Sequence, residues 1–399
     1  MDQVFSKSNK KIDFYKHLII DRFARLLHLQ RRFAITGLCI LGPVIATQSE
    51  ASAYAKPIKK NLPTHHIVKK TPTEPAESTP TAYAKRPEVQ AFIDYLVNKH
   101  GFIADELNQV FAHTFYIPTV ARLITPIGST KPKVWRDYRA RFIEPTRIQA
   151  GLRFWEDHAL ILAKAEKEYG VPASIIVAIL GIETIYGRNL GKFRIIDALS
   201  TLSFDYPNTG TSRAPFFRQQ LEEYLLLVRD MGWNVFIPSG SYAGAIGMPQ
   251  FMPSSYRTYA VDFDGDGKID LRSSTADAIG SVAKFLQQHG WQSGQPTHAY
   301  LDRTTNLETL ATLAQKGIEP SLSPAELQHE GLNTSGLNVN LRYAVIDLPQ
   351  GVATPDYVLG TRNFFVITRY NRSSFYAMAV IELAQTIERN RMTGSSTER

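Results

Sequence analysis

The sequence predicts a mainly α (α+β) protein with a small β portion late in the chain. Apolar residues recur at helical spacing from residue 88 onward, and one helix in the middle of the chain is apolar on almost every side. Short runs rich in β-branched residues are confined to residues 330–370. With 44% hydrophobic and 21% charged residues among 399, the composition is that of a folded globular protein and excludes a collagen, a coiled coil or a largely disordered chain.

Residues 1–55 have the features of a targeting segment. An uncharged apolar run, 33–46, follows two arginines, and A-x-A patterns end at Ala53 and Ala55. The run is shorter than the ~20 residues that a membrane-spanning helix needs. The pattern predicts a signal peptide and export to the periplasm. Because 32 residues precede the run, an uncleaved N-terminus that holds the protein at the membrane is a second interpretation, and a buried core helix is a third.

Cysteine usage and charge exclude several classes of function. The single cysteine, Cys39, lies within the apolar run, so a processed chain would have no disulfide, no cysteine-bound zinc and no thiol nucleophile. Half of the net charge of +8 lies in residues 1–55, which carry eight Lys/Arg and four Asp/Glu. The remaining surplus is too small to favour nucleic acid as a partner, although it suits an anionic polymer or envelope surface.

The rest of the chain divides into a linker and a series of predicted elements. Residues 56–87, rich in Pro, Thr, Lys and Ala, predict a disordered linker. Helices are predicted from Glu88 onward and over 103–112, 146–169, 173–186, 213–231, 275–290 and 374–391, and strands over Leu341–Leu348 and Asn363–Tyr370. We expect an α domain over 88–150, a core over 151–300, a β portion with a final core helix over 301–391, and a tail over 392–399.

Glu183 is the candidate catalytic residue because of its surroundings. It lies in the segment 171–187, where Ser174 is a plausible helix start and Gly187 a plausible stop, and the other positions of that helix are almost all apolar. Burial raises the pKa of a carboxyl group, so that it can hold a proton near neutral pH and act as a general acid. The alternative is a solvated Glu at the end of the helix, paired with Arg188.

Residues 239–256 predict a loop that lets backbone approach a ligand closely. Glycine and other small residues alternate there with aromatic residues. Ser241 and Gln250 are its polar exceptions and the candidate ligand-binding residues. The alternative for most of this segment is a structural turn packed on the core.

Three long motifs then point to a family: GIETIYGRNLGKFRIIDALSTLSFDYP, GSYAGAIGMPQFMPSSYRTYAVDFDGDG and FFVITRYNRSSFYAMAVIELAQ. Together they resemble the membrane-bound lytic murein transglycosylase B family, over about residues 88–391. The resemblance implies a lysozyme-like helical core with an additional helical domain and a small β domain. It also implies cleavage of the bond between N-acetylmuramic acid (MurNAc) and N-acetylglucosamine (GlcNAc) in peptidoglycan, with no organic cofactor.

The resemblance also assigns roles to particular residues. It implies that Glu183 is the single catalytic acid and base, and that the substrate cleft is lined by Ser241, Gln250, Tyr138, Tyr370, Asn371 and Tyr376. The chain departs from the family pattern at Phe285, where a tyrosine is usual, and at Met248-Pro249, where Tyr-Gly is more usual. The N-terminus has no convincing lipid-attachment box.

A single carboxyl group favours one mechanism over another. Most glycosidases place two carboxyl groups across the scissile bond, but these motifs contain no second acidic residue in an equally apolar setting. The expected route is substrate-assisted, with the N-acetyl oxygen of the substrate attacking the anomeric carbon. The products would then end in 1,6-anhydro-MurNAc. A hydrolytic muramidase on the same fold and a non-catalytic peptidoglycan-binding scaffold are the alternatives.

An aspartate-rich loop predicts a structural calcium site. Asp262, Asp264, Asp266 and Asp270 occupy positions 1, 3, 5 and 9 of an EF-hand-like loop, 262–277, with Gly at position 6 and the backbone carbonyl of Lys268 at position 7. Position 12 is a serine in place of the usual glutamate. The resemblance suggests that the later Asp277 closes the site, with Asp270 as the other candidate, and a solvated acidic turn is the alternative. Besides peptidoglycan strands, the cell-wall synthesis and hydrolysis machinery is a candidate partner, and a monomer is expected.

Overall fold

The computed structural model describes residues 83–125, 134–208, 210, 212–301 and 305–394. All of these lie within the unit Pro75–Arg399. The predicted leader, the predicted linker as far as residue 82 and the last five residues of the predicted tail lie outside the described residues. Within the described part of the chain, no helix combines the length and the apolar character needed to cross a membrane.

The described chain is mainly helical, as predicted from the sequence. A short 3₁₀ turn, Tyr83–Lys85, comes first. The helices that follow are α1 (Pro87–His100), α2 (Ala104–Ala112), α3 (Pro118–Ile124), α4 (Trp135–Ala140), α5 (Pro145–Asp157), α6 (Ala159–Tyr169), α7 (Ala173–Thr184), α8 (Ile195–Phe204), α9 (Ala214–Met231), α10 (Pro253–Tyr259), α11 (Thr275–Gln288), α12 (Leu307–Ala314), α13 (Pro324–His329), α14 (Arg362–Tyr370) and α15 (Ser374–Gly394).

Helix α7 lies at the centre of the main hydrophobic core. Every residue of α7 except Glu183 is buried, and helices α5, α6, α11 and α15 pack against it. A helix that is apolar on all sides has to be enclosed in this way to remove its side chains from water. The expectation of a buried central helix is therefore confirmed, and Glu183 is the residue of that helix that reaches its edge.

Ordered structure begins earlier than the predicted end of the linker at residue 87. Tyr83 is fully buried, and its hydroxyl donates a hydrogen bond of 2.6 Å to Asp205. Arg86 donates to both oxygens of the same carboxylate, at 2.8 and 2.9 Å. These contacts are made to a residue more than a hundred positions away, so local composition could not show them.

The single helix predicted over 146–169 is two helices, α5 and α6. They meet at His158, whose backbone angles (φ −122°, ψ 23°) are not helical. The apolar spacing continues across the break through the buried Phe154, Trp155 and Leu162, because both helices face the same core. Periodicity alone therefore could not reveal the interruption.

The described strands are β1 (Phe193–Arg194), β2 (Ser239–Gly240), β3 (His298–Tyr300), β4 (Ala344–Gln350) and β5 (Ala353–Gly360). The β portion is a three-stranded antiparallel sheet in the order β3-β5-β4, in which Ile346 of β4 pairs with Val358 of β5. The strand predicted over Leu341–Leu348 thus begins three residues later than expected. A separate small core, which includes Leu310, Leu327 and Tyr343, packs beside this sheet.

The strand predicted over Asn363–Tyr370 is wrong, because this segment is helix α14. Thr361 caps the helix by accepting the N–H of Asn363 at 3.2 Å. The buried Phe364, Ile367 and Thr368 are three and four residues apart, which is the spacing of one helix face. Their aromatic and β-branched character favoured a strand, but burial against the core overrides that local preference.

Candidate active site

Glu183 lies at the C-terminal end of α7, where the helix ends in an unusual turn. The helix stops at Thr184, and the next three residues, Ile185, Tyr186 and Gly187, all have positive φ angles of 51°, 56° and 86°. Gly187 was expected to end the helix, and it completes the turn that two non-glycine residues begin. The result is that the chain leaves the helix immediately after Glu183 and leaves this side chain half-buried at the core's edge.

The electrostatic environment of Glu183 suits an acid and base at neutral pH. Burial raises the pKa of its carboxyl group from 4.5 to about 7. The hydroxyl of Tyr376 donates a hydrogen bond of 2.6 Å to Glu183 Oε1, which lowers the pKa and partly opposes that rise. Neither of these two effects on the pKa comes from a second carboxylate. A group with this pKa is present in both protonation states near pH 7.

The three tyrosines implied by the resemblance all face Glu183. A charge on Glu183 raises the pKa of Tyr138, Tyr370 and Tyr376, although burial is the larger cause in each case. The rings of Tyr370 and Tyr376 are nearly parallel, with centroids 6.3 Å apart. Tyr138 lies 5.5 Å, ring to ring, from Phe375. Helices α4, α14 and α15 therefore each bring one tyrosine to the end of α7.

The loop that follows strand β2 (Ser239–Gly240) holds Ser241 and Gln250. Strand β2 pairs with β1 (Phe193–Arg194), which fixes where the loop begins. Ser241 Oγ accepts the N–H of Ala245 at 3.0 Å and closes a tight turn. Gln250 has a φ of 51°, and its side-chain nitrogen donates to the carbonyl of Gly247 at 2.9 Å. Among the described hydrogen bonds, none uses Gln250 Oε1, which remains available as an acceptor.

Thr184 joins this loop to the end of α7. Its side chain is fully buried, donates to the carbonyl of Met248 at 2.9 Å and accepts the N–H of Gly187 at 3.0 Å. Pro249 contributes in the same way, because its carbonyl accepts the hydroxyl of Tyr370 at 2.5 Å. Both contacts of Met248-Pro249 are made by backbone oxygens. The departure from the family pattern at these two positions therefore leaves the contacts with α7 and α14 in place.

The other departure from the family pattern, a phenylalanine at position 285 where a tyrosine is usual, changes a side chain next to Tyr370. Phe285 on α11 is buried, and its ring lies 4.9 Å from that of Tyr370 in an edge-to-face arrangement. A hydroxyl at this position is absent, while the aromatic packing is kept. Asn371 ends α14 and is exposed, and among the described hydrogen bonds none joins it to Glu183.

Arg147 is a residue of the site that sequence reasoning missed. Its side chain is buried, and Nε donates to the carbonyl of Gly181 at 3.0 Å while Nη1 donates to the carbonyl of Arg141 at 2.7 Å. It thereby ties the last turn of α7 to the segment after α4, which carries Tyr138. Nothing in the sequence around Arg147 indicates that its side chain is buried or that it contacts Gly181, which lies 34 residues further along the chain.

The aspartate loop folds as a compact turn with three converging carboxylates. Oxygens of Asp262, Asp264 and Asp266 lie within 4.8 Å of one another. The N–H groups of Gly265 and Gly267 donate to Asp262 at 2.7 and 2.8 Å, and both glycines have positive φ angles. A group of three hard oxygen donors is chemically suited to Ca²⁺.

The structure gives Asp277 a different environment from the other candidate ligands. It lies in the first turn of α11, is buried, and accepts the N–H of Phe263 at 2.8 Å and that of Asp270 at 2.7 Å. These bonds hold the two ends of the loop together. Asp270 in turn accepts the N–H groups of Arg272 and Ser273. Of the predicted ligands, Asp262, Asp264 and Asp266 are the ones whose carboxylates converge.

Comparison with known proteins decides the family. The family described as Transglycosylase SLT domain matches residues 84–385. The chain belongs to this transglycosylase family. Membrane-bound lytic murein transglycosylase B of Escherichia coli (strain K12) is 40% identical to it over 314 residues, which are 76% of this chain and 84% of the relative.

Solved structures of related transglycosylases have the same fold. Soluble lytic transglycosylase SltB1 of Pseudomonas aeruginosa is 44% identical, with a TM-score of 0.70 over 76% of this chain and 99% of that chain. Slt35 of Escherichia coli in complex with calcium is 40% identical, with a TM-score of 0.67 over 78% and 95%. SltB3 of Pseudomonas aeruginosa in complex with NAG-anhNAM-pentapeptide is 30% identical, with a TM-score of 0.62 over 75% and 79%.

Membership of the transglycosylase family confirms the resemblance drawn from the sequence motifs. It agrees with the mainly helical, lysozyme-like class expected for the core. The match runs from the residue after Tyr83 to about the middle of α15.

Proposed function

We propose that this transglycosylase cleaves the β-1,4 bond between MurNAc and GlcNAc in peptidoglycan and leaves 1,6-anhydro-MurNAc ends. The observation that carries the proposal is the state of Glu183. Its carboxyl group ends an otherwise buried helix, has a pKa of about 7 and accepts a hydrogen bond from Tyr376. Such a group can give a proton and take one back at the same pH, and a single-carboxylate reaction needs both steps.

The first step breaks the glycosidic bond. Protonated Glu183 donates its proton to the bridging oxygen, and GlcNAc leaves as an alcohol. The N-acetyl oxygen of MurNAc attacks the anomeric carbon as that bond breaks and forms a cyclic cation. Because the hydroxyl of Tyr376 donates a hydrogen bond to Glu183 Oε1, the proton is donated to the substrate from Oε2. The hydrogen bond also stabilises the carboxylate that the step produces, because it is stronger to the charged form.

The second step closes the anhydro ring. Ionised Glu183 removes the proton of the MurNAc 6-hydroxyl, and the freed oxygen attacks the anomeric carbon. The bond from the N-acetyl oxygen to that carbon breaks, which restores the acetamido group and returns Glu183 to its protonated form. No water is consumed. The rings of Tyr138 and Tyr370 present aromatic surface on which the sugar faces can pack.

Two residues of the loop after β2 and one residue at the end of α14 would bind the sugar hydroxyl and acetamido groups. Gln250 Oε1 and the hydroxyl of Ser241 are on the loop that Thr184 holds against α7, and Asn371 extends from the end of α14. We assign these three residues to substrate binding and Glu183 to chemistry. The division into an α domain, a catalytic core and a β portion is proposed on the same grounds as in the sequence analysis.

We also propose that the aspartate loop binds a structural Ca²⁺. Support comes from the three converging carboxylates and from the calcium complex of Slt35. Asp262, Asp264 and Asp266 would supply side-chain oxygens and Lys268 its backbone carbonyl. Export to the periplasm, a monomeric state and contact with the cell-wall machinery remain our predictions from the sequence.

Mass spectrometry of peptidoglycan digests tests the proposed reaction. Purified protein is incubated with peptidoglycan sacculi beside Glu183→Gln, with Glu308→Gln, an exposed glutamate on α12, as the matched control. We expect products ending in 1,6-anhydro-MurNAc from the protein and from Glu308→Gln but not from Glu183→Gln. Products heavier by one water would identify a muramidase instead. Binding to sacculi without any product would identify a scaffold.

A further inference from the structure

The turn that follows Glu183 is conformationally strained. Ile185 and Tyr186 have φ angles of 51° and 56°, a region that side chains with a Cβ rarely adopt and that is least favourable for a β-branched residue. Such conformations are unfavourable for residues other than glycine and persist only where the surrounding structure holds them. Something in the fold must therefore hold this turn against its own backbone preference.

The side chain of Tyr186 is fitted into a slot between two helices. A methyl group placed on Gly181 of α7 would lie 2.5 Å from the Tyr186 hydroxyl oxygen, and one placed on Gly151 of α5 would lie 2.4 Å from it. The ring stacks on Phe154, with centroids 4.9 Å apart. Only glycine at both helical positions leaves room for the ring, since a Cβ cannot come within 3 Å of another heavy atom.

The hydroxyl group of Tyr186 does not explain why the ring is there. It is buried and has no hydrogen-bond partner among the described residues. An unpartnered buried hydroxyl destabilises the folded state. The contribution of Tyr186 is therefore the fit of its ring in the slot, which fixes the turn that starts two residues after Glu183.

We propose that Tyr186 is a positioning residue for Glu183, and that Gly151 and Gly181 form the slot that seats it. The seated ring holds the strained turn, and the turn fixes the last residues of α7 and thereby the direction of the Glu183 carboxyl group. The N–H of Tyr186 adds to this by donating to the carbonyl of Leu180 at 3.2 Å. This role rests on the proposed function, because it concerns the orientation of the carboxyl group that is the acid and base of that reaction.

Gly181→Ala tests the inference by filling the slot. Alanine is a better helix former than glycine, so a loss of rate would come from the displaced ring rather than from a weaker helix. Gly280→Ala is the matched control. Gly280 is also a buried helical glycine, and its added methyl group would lie 2.4 Å from the ring of Phe263, away from Tyr186. Initial rates of anhydro-end release from solubilised glycan strands are measured as a function of pH.

For Gly181→Ala we expect kcat to fall about 10- to 100-fold with KM within about twofold, since a misplacement near 1 Å has an effect of this size. We also expect the basic limb of kcat/KM to shift by at least half a pH unit to lower pH, because a displaced Glu183 is better hydrated. Gly280→Ala should keep the position of this limb. Equal effects of the two substitutions on kcat and on the limb would overturn the inference.

A second substitution separates positioning from loss of folding. Gly181→Ala combined with Tyr186→Phe removes the atom nearest the new methyl group and should recover part of kcat and of the pH shift. If Gly181→Ala does not fold, Tyr186→Leu makes the same test beside Tyr186→Phe. Tyr186→Leu should show the shift of the basic limb to lower pH, and Tyr186→Phe should keep nearly the profile of the unchanged protein; identical profiles for the two variants would refute the role. Absence of anhydro products from the unchanged protein would instead refute the proposed function.

Discussion

The hydrogen bond from Tyr376 to Glu183 leads to a quantitative prediction about the pH dependence of the reaction. At 2.6 Å this bond connects a hydroxyl to the carboxyl group that we propose as the acid. It lowers the pKa of Glu183 because a hydroxyl binds a carboxylate more strongly than a neutral carboxyl group. Tyr376→Phe removes the hydroxyl and keeps the ring, so the pKa of Glu183 should rise above its value of about 7.

The size of the rise follows from the energy of the bond. A hydrogen bond to a charged group contributes about 1.5–3 kcal/mol, and one between neutral groups about 0.5–1.5 kcal/mol. The difference, about 1–1.5 kcal/mol, corresponds to about one pKa unit. Since kcat/KM requires protonated Glu183 in the free enzyme, the basic limb of its pH profile should move about one unit to higher pH.

Release of anhydro ends between pH 5 and pH 9 measures this shift, with Tyr370→Phe as the matched control. The Tyr370 ring stacks beside that of Tyr376, but its hydroxyl donates to the carbonyl of Pro249. Loss of the Tyr370 hydroxyl should leave the basic limb of the kcat/KM profile at the same pH, even if it lowers the rate. A limb that stays in place or moves to lower pH in Tyr376→Phe would refute the reasoning, as would an equal shift in both variants.

Three further predictions concern stability. Because burial raises the pKa of Glu183 from 4.5 to about 7, its ionisation should destabilise the fold by at most about 3 kcal/mol as pH rises through this window. Glu183→Gln should thus have a higher melting temperature than the unchanged protein at pH 8 but not at pH 4. A difference in melting temperature that calorimetry finds to be the same at both pH values would contradict this. Calcium should raise the melting temperature of the protein but not of Asp262→Asn, and a chelator should reverse the rise. Thr184→Val should lower the free energy of unfolding in urea by about 1–3 kcal/mol, because it leaves the carbonyl of Met248 unpaired; an unchanged unfolding curve would disprove that role.

The sequence predicted much of the site because its features are local in the chain. A carboxyl group in an apolar helix, a glycine-rich loop and an alternating aspartate turn are each contained in fewer than twenty residues. The family motifs then indicated which tyrosines belong with Glu183, and the structure does bring Tyr138, Tyr370 and Tyr376 to it. Contacts between separate segments could not be predicted in this way, as the hydrogen bond from Arg147 to the carbonyl of Gly181, 34 residues away, illustrates.

The errors in the fold have the same origin. Residues 363–370 have strand-like composition, yet they form helix α14 because Thr361 caps it and one face is buried. Likewise the break at His158 is invisible in a pattern whose apolar positions face one core throughout. Local preferences amount to a few tenths of a kcal/mol per residue, and burial of a large side chain amounts to more. Tertiary packing therefore determined the secondary structure of these segments.

The sequence by itself determined the class of the protein, its central buried helix and the position of Glu183, the acid that we propose, because apolar periodicity and a lone carboxyl group are properties of the chain. Only the tertiary structure decided the pKa and the orientation of that carboxyl group. The pKa of Glu183 depends on burial by elements far away in sequence and on the hydroxyl of Tyr376. Its direction depends on a strained turn at Ile185 and Tyr186. Both are long-range effects, since desolvation and steric fit arise only when distant segments pack together.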